Sequence, residues 1–524
     1  MLRILAALQS ILALLSLATQ ASPILKRQGL SEGSTNTAIL LQGGTFITYN
    51  ETTASLEVIH GSLLIINNAI AEIGAIVTDI PPHTEIVNVT GRIVTPGFVD
   101  THRHGWQTAF RTQGGNAALD QYMYTFSQFG PAAQIFDAED VYIGQLMGLY
   151  EAIDAGVTSI VDHAHHIWSK ETAQAGLQAS IDSGNRIWWC YAVQPVPIQS
   201  NPYVLDKNTT SWQLAQITEM ATNQPLSGGR VNIGLAYDQL SLPEEQVVSI
   251  FDFAKKQNLS LITTHYMGGI FQDGFHSVEV LDKYNLLDIE TPIIFSHASY
   301  ITPQEIELLR RANQYISTTS ESEMHYGHGH PYSYSIQDQG SLGVDTHIAF
   351  STDIITQMRI NLQTTRLTMY DMVIEQGRMP SNSGMTVDQA FLMGTRNGGL
   401  ALRRDDIGVL KVGAKADLVV FDTNRPGLLG WKDAVAAIVL HSNTGDIEHV
   451  IVDGQFKKRD RKLVGADWII AQDRFLRSAA KISTAMGKAN LTEYKEGVLN
   501  EVLGYTDSMF GKTTEVNVTR GPSA

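Results

Sequence analysis

At 524 residues, 43% of them apolar and 17% charged, the chain is too long for one small core and too apolar to be disordered. A formal charge of −16, from 37 Lys and Arg against 53 Asp and Glu, argues against a nucleic-acid-binding surface. The single cysteine, Cys190, excludes an intrachain disulfide; between Trp188, Trp189 and Tyr191 it reads as an inert, packed thiol.

Taken in chain order, residues 1–21 read as a secretory signal, with Arg3 as the positive start, a leucine-rich core over Ile4–Ala18 and a small-residue cleavage site at Thr19-Gln20-Ala21. Lys26-Arg27 reads as a dibasic processing site that releases a propeptide over residues 22–27. Arg3, Lys26 and Arg27 leave with that segment and no acid does, so three cations fewer takes −16 to −19. No other stretch is long and apolar enough for a transmembrane helix. Six N-x-[ST] sequons, at Asn50, Asn88, Asn208, Asn258, Asn490 and Asn517, agree with a secretory route. The expectation is a secreted or vacuolar protein with no membrane anchor.

Residues 38–95 alternate short apolar runs with Gly, Asn and Pro turns, and residues 404–466 do the same, so the two ends are expected to build one small β-sandwich domain together. Between them, over residues 96–403, strand and helix patterns alternate. Eight strands are expected, at Val94–Thr101, Val157–His163, Arg186–Gln194, Arg230–Ala236, Leu259–His265, Pro292–His297, Gln314–Thr319 and His347–Thr352. Helical patterns separate them, as at Asp137–Ala155, Glu244–Gln257 and Pro303–Asn313. Eight such units predict an α/β fold, a (β/α)8 TIM barrel. A helical extension over residues 467–524, frayed from Thr513, completes the chain.

Chemistry concentrates at the expected strand ends. The stretch Thr95–Arg111 reads T-P-G-F-V-D-T-H-R-H-G-W-Q-T-A-F-R. Side chains alternate along a strand, so His102 and His104 share a face and Arg103 takes the other. Two such imidazoles suit one divalent metal. Strand five ends at His265, strand six at His297 and strand eight, I-A-F-S-T-D, at Asp353. In a (β/α)8 barrel the C-terminal strand ends form the site, so four histidines and an aspartate there point to a metal centre. Three imidazoles and a carboxylate suit Zn2+, with Fe2+ or Mn2+ as alternatives.

The T-P-G-F-V-D-T-H-R-H run and the strand-end pattern resemble the metal-dependent amidohydrolase superfamily, as does G-V-L-K-V-G-A-K-A-D-L-V-V-F-D at Gly408–Asp422. The branch it resembles holds cytosine deaminase and the triazine and guanine aminohydrolases. The resemblance implies His102, His104, His265 and Asp353 as metal ligands, with His297 bonding the attacking water or the substrate. Strand four, R-V-N-I-G-L-A-Y-D, has no lysine to bridge two metals, so one metal per chain is expected. The implied activity is hydrolysis of a C–N bond other than a peptide bond, in a cyclic amide or amidine or by deamination of a small molecule. Asp353 would relay protons and His297 would steady the developing oxyanion.

One departure stands out. That branch often carries H-x-x-E after strand five, and here the run is His265-Tyr266-Met267-Gly268. A replacement acid is expected from Ser317–Pro331, where Glu321, Glu323, His325, His328 and His330 crowd one loop; Glu323 either shuttles protons or orders the loop. His328 is a candidate substrate contact. His163 and His165, from D-H-A-H-H at Asp162–His166, share a face and either line the pocket or stand behind the ligands. Trp106 and Gln107 are candidate substrate contacts, and Arg111 is either a carboxylate clamp or half of a structural ion pair. The rival readings are a decarboxylase or isomerase on the same scaffold, and a catalytically inactive binding relative. A homodimer is expected by analogy with such proteins.

Overall fold

The computed structural model describes residues 37–269, 278–329, 332–465 and 467–502. The expected signal and propeptide, His330, Pro331, Asn517 and the frayed tail lie outside the described residues.

Strands β1 (Ala38–Asn50), β2 (Ser55–Ile66), β3 (Ala69–Gly74), β4 (Glu85–Asn88) and β5 (Arg92–Pro96) open the chain. The barrel strands follow: β6 (Phe98–Arg103), β7 (Val157–Ala164) and β8 (Arg186–Ala192), then, after a ribbon of β9 (Val196–Ser200) and β10 (Tyr203–Asp206), β11 (Val231–Ala236), β12 (Ile262–Met267), β13 (Ile293–Ser299), β14 (Tyr315–Thr318) and β15 (Gly340–Leu342). Strands β16 (Leu418–Asp422), β17 (Ile447–Val452), β18 (Gln455–Arg459) and β19 (Lys462–Leu463) close the set.

Two sheets result. The first, of nine strands, runs β19-β18-β17-β16-β5-β1-β2-β3 with β4 on β1, and so joins both ends of the chain. It wraps a core of Ile39, Leu41, Phe46, Leu63, Val94, Leu418, Val420 and Ile451. The second, of eight strands, runs β15 through β6 in parallel. It closes where His102 O accepts from Val344 N (3.1 Å) and Asp345 N (2.9 Å) and His104 N donates to Asp345 O (2.9 Å). Helices cover its outside, so β6, β7, β8 and β13 are buried along their whole length, as a parallel sheet requires. This is the expected (β/α)8 barrel.

The sequence expectation needs two corrections. Val94–Thr101 is not one strand: it straddles β5 of the first sheet and β6 of the barrel. Gly97 marks the corner, because a Cβ there would lie 2.1 Å from Thr158 Oγ1. The eighth strand is Gly340–Leu342, not His347–Thr352. Residues 348–350 carry the apolar run of a strand but pack instead against the loop after β6, Ile348 being buried beside Trp106 and Phe110.

Local signals place the helices. Asp137 and Asp140 cap Ala138–Asp154 reciprocally, Ser169 and Thr172 cap Lys170–Ser183, and Thr302 and Glu305 cap Pro303–Ala312. Beyond the sheets, helices Trp468–Met486 and Leu491–Glu501 follow. Among the described residues no helix is long and apolar enough to cross a membrane.

Candidate active site

At the C-terminal ends of the barrel strands, four side-chain donors converge. Asp345 Oδ1 lies 3.3 Å from His102 Nε2 and 3.2 Å from His104 Nε2, and His265 Nε2 lies 3.3 Å from His104 Nε2. His102 and His104 come from the end of β6, His265 from β12, and Asp345 from the turn after β15. Arg103 points outward as alternation demands, and donates to Asp100 (2.6 Å) and to Thr352 O (3.1 Å).

The carboxylate is therefore Asp345 and not the expected Asp353. Asp353 caps the helix Ile354–Ile374, accepting from Thr356 N (2.7 Å) and Thr356 Oγ1 (2.8 Å), and is not brought into the cluster. Asp345 occupies its place because β15 is three residues long. After Gly343, where a Cβ would lie 2.8 Å from His102 Cβ, the backbone reaches His102 directly.

The donors are oriented from behind. His104 Nδ1 donates to His163 O (2.8 Å), and His265 Nδ1 donates to Asp238 Oδ2 (2.9 Å). As neutral imidazoles, both rings thus spend their hydrogen on Nδ1 and turn a bare Nε2 lone pair inward. His102 Nδ1 pairs with Ser296 Oγ (2.8 Å), and its buried Nε2 has no hydrogen-bond partner. Two bare nitrogens 3.3 Å apart repel unless a cation lies between them. Donors around a tetrahedral metal with bonds of about 2.0 Å stand about 3.3 Å apart, so these residues fit a divalent metal. Burial opposes the charge on Asp345, but the imidazoles of His102, His104 and His297 around it outweigh that and hold the carboxyl well below its usual range.

Beside this set, His297 Nδ1 pairs with Thr319 Oγ1 (2.7 Å), and Glu323 Oε1 accepts from Thr319 N (2.8 Å) and Thr319 Oγ1 (3.4 Å). Glu323 is wholly buried, its Oε2 has no partner, and burial pushes its pKa up to about 8. His328 lies 4.8 Å from His297, ring to ring. His297 (φ +77°) and Asp345 (φ +65°) both hold left-handed backbone, strained for residues other than glycine. At Gly268 a Cβ would lie 2.8 Å from Tyr266 Oη and 2.8 Å from Tyr300 O, so no side chain fits there as things stand.

The other expected residues divide. His163 and His165 both join the cluster: His163 Nε2 lies 3.3 Å from Asp238 Oδ2, and His165 stacks on His104 at 3.9 Å. Trp106 is not a pocket wall. It is fully buried among Phe110, Phe136 and Trp168 and donates its indole N–H to His165 Nδ1 (3.0 Å). Gln107 spends its amide on Tyr122 Oη and Phe126 O (both 3.1 Å). Arg111 is half-exposed and pairs with Glu151 (2.5 Å), so it is a structural ion pair and no clamp. Glu321 accepts from Ser351 and Gln357, and His325 packs on Tyr326 and Phe350.

Sequence reasoning missed Asp345 and Asp238. The run G-S-L-G-V-D ends in an aspartate just as I-A-F-S-T-D does, and a search for every strand-like run ending in Asp would have kept both. Asp238 lies two residues beyond β11 and was legible only as the end of Y-D.

A family model described as "Amidohydrolase family" matches residues 93–457. A 5-methylthioadenosine/S-adenosylhomocysteine deaminase of Thermococcus sibiricus is 25% identical over 431 residues, covering 80% of this chain and 93% of that protein. Among solved structures, an adenosine deaminase from Xanthomonas campestris with bound zinc superposes with a TM-score of 0.71 at 15% identity, covering 86% of this chain and 99% of that one. A zinc-containing atrazine chlorohydrolase from Arthrobacter aurescens gives 0.71 at 17% identity, covering 84% and 100%. At such identities the structural likeness is one of fold.

Proposed function

Given that this chain belongs to the amidohydrolase family and is a metal-dependent hydrolase of C–N bonds other than peptide bonds, we propose that it deaminates an amino-substituted heteroaromatic ring, an aminopurine base or its nucleoside. The reaction is ring–NH2 plus water giving ring–OH plus ammonia. The observation that carries the reading is Asp345 Oδ1 standing 3.2–3.3 Å from the Nε2 atoms of His102 and His104, with His265 Nε2 3.3 Å from that of His104. We propose one zinc ion per chain, held by these four residues. When bound it supplies Lewis acidity and makes water a nucleophile at neutral pH.

The protein's own groups do the rest. Asp345 takes the proton of the attacking water at its carboxylate, while Ser322 donates a hydrogen bond to its other oxygen. His297 faces the same point and steadies negative charge on the reacting carbon's substituent. Glu323 replaces the glutamate absent at position 268. Neutral at pH 7, it holds a proton that reaches His297, and then the departing nitrogen, once the Thr319 hydroxyl turns from Glu323 to His297; the proton taken up by Asp345 returns to Glu323 through solvent before the next turnover.

Substrate class follows from charge and from the relatives' substrates. Around the cluster, the described ionisable groups are imidazoles, acids and the buried phenols of Tyr122 and Tyr326, and the nearby guanidiniums, Arg103 and Arg111, are spent on Asp100 and Glu151. Such a site favours a neutral ring without phosphate. The test offers adenosine, its 5′-deoxy and 5′-methylthio forms, guanine and aminotriazines in 18O-labelled water. Ammonia release with one labelled oxygen in the product supports deamination; carbon dioxide release, or turnover without label, would replace it with decarboxylation or isomerisation.

We also propose that the protein is secreted and glycosylated. The signal-like sequence of residues 1–21 supports this, as does the exposure of Asn88, Asn208, Asn258 and Asn490. A glycosidase-sensitive mass shift of protein recovered from medium tests it.

A further inference from the structure

We propose that Asp238 is a positioning residue that sets the metal affinity of the site by fixing the ring hydrogen of His265; this rests on the metal reading above. Its carboxylate sits just past β11 and ties two neighbouring strands together. Oδ1 accepts from His265 N (2.8 Å) and from Thr264 Oγ1 (3.3 Å). Oδ2 accepts from His265 Nδ1 (2.9 Å) and faces His163 Nε2 at 3.3 Å.

Both edges of the carboxylate are thus engaged, three times by one residue's backbone and ring and by the hydroxyl before it. An ionised carboxylate only accepts, so a neutral His265 must carry its hydrogen on Nδ1 and present Nε2 bare toward His104. A second imidazole, His163, shares Oδ2 and lies 4.3 Å from His265, ring to ring. His265 and Asp238 also keep 17% and 29% side-chain exposure, whereas His102 and His104 have at most 1%, so His265 lies on the open side of the set. Its ring packs on those of His163, His104 and His297, and the charged hydrogen-bond partner fixes its rotation on that open side.

The substitution Asp238→Asn separates this role from packing. The amide has the same shape but can place an NH2 where Oδ2 stood. It would then donate to His265 Nδ1, moving the ring hydrogen to Nε2, the atom that must stay bare. The expected result is zinc affinity 10- to 100-fold weaker by chelator competition, an altered visible spectrum of the cobalt(II)-substituted protein, and unchanged thermal unfolding of the metal-free protein. Asp238→Glu, which keeps the carboxylate, is expected to recover most of the affinity. Should the Asn variant not fold, 15N-histidine NMR of the zinc-loaded wild type reads the same property: the ring assigned to His265, in addition to that of His104, must show a strongly hydrogen-bonded Nδ1–H with its Nε2 on the metal.

Wild-type zinc affinity and cobalt spectrum in Asp238→Asn, or a wild type whose His265 carries its hydrogen on Nε2, would overturn the proposal while leaving the metal site standing. A wild type that binds neither zinc nor cobalt would overturn the metal reading and this inference with it.

Discussion

The two ends of the barrel each bury a polar cluster, and they are built on opposite principles. At the N-terminal end, Arg186 at the start of β8 donates to both oxygens of Asp417 (2.9 and 3.2 Å) and to Asp453 (3.0 Å), and Asp453 N donates to Asp417 (2.6 Å). Donors meet acceptors, and the network ties the barrel to the nine-stranded sheet. At the C-terminal end, acceptors meet acceptors: three ring nitrogens and a carboxylate oxygen crowd together with nothing of the protein between them. Both clusters are buried and carry charge. What separates a structural cluster from a functional one here is whether its own hydrogen bonds close.

That contrast makes opposite predictions for the two ends. The largest effect is expected at the open end. His102→Ala should abolish metal retention and lower kcat/KM on the order of 1000-fold or more, since a bound metal is worth several kcal/mol in the transition state; parallel unfolding curves should show a folded protein. At the closed end, Arg186→Met should leave two carboxylates buried without their partner and cost about 3–5 kcal/mol in denaturant unfolding. The metal content of the surviving folded protein should stay at the wild-type level. If instead Arg186→Met lost metal, or His102→Ala unfolded the chain, the distinction between the ends would fail.

Glu323 sharpens the comparison, being a buried acid at the open end with one oxygen unpaired. Its folded pKa of about 8 lies above the ordinary 4.5. The folded state therefore keeps a proton that the unfolded chain releases, and wild-type stability falls as pH rises between those values. Glu323→Gln removes that dependence. Its Tm should match wild type near pH 4.5 and exceed it increasingly toward pH 8, while kcat drops because the proton reserve is gone. A Tm difference that does not grow over this range would place Glu323 as an ordinary ionised carboxylate.

Much of this end was legible in the sequence. The H-x-H pair could be placed on one face because strand periodicity is rigid, and His265 and His297 stood out because each closes a run of five or more largely apolar residues. Asp345 did not, because β15 is too short to leave a pattern and its chain is held by backbone bonds to His102 that no local signal announces. Ile348–Phe350 offered the better strand pattern and buries those side chains against the loop after β6 instead. Arg111 and Trp106 followed the ligands in sequence, but the short helix Gly105–Phe110 turns one outward to Glu151 and the other behind His165. Proximity along the chain said nothing about proximity to the site.

The central claim is that the open cluster is a metal centre completed by Asp345. Metal content of purified Asp345→Asn and Asp353→Asn, set against wild type, tests it most directly. About one divalent ion per chain in wild type and in Asp353→Asn, with a marked loss in Asp345→Asn, is the predicted result. Loss in Asp353→Asn with retention in Asp345→Asn would contradict it.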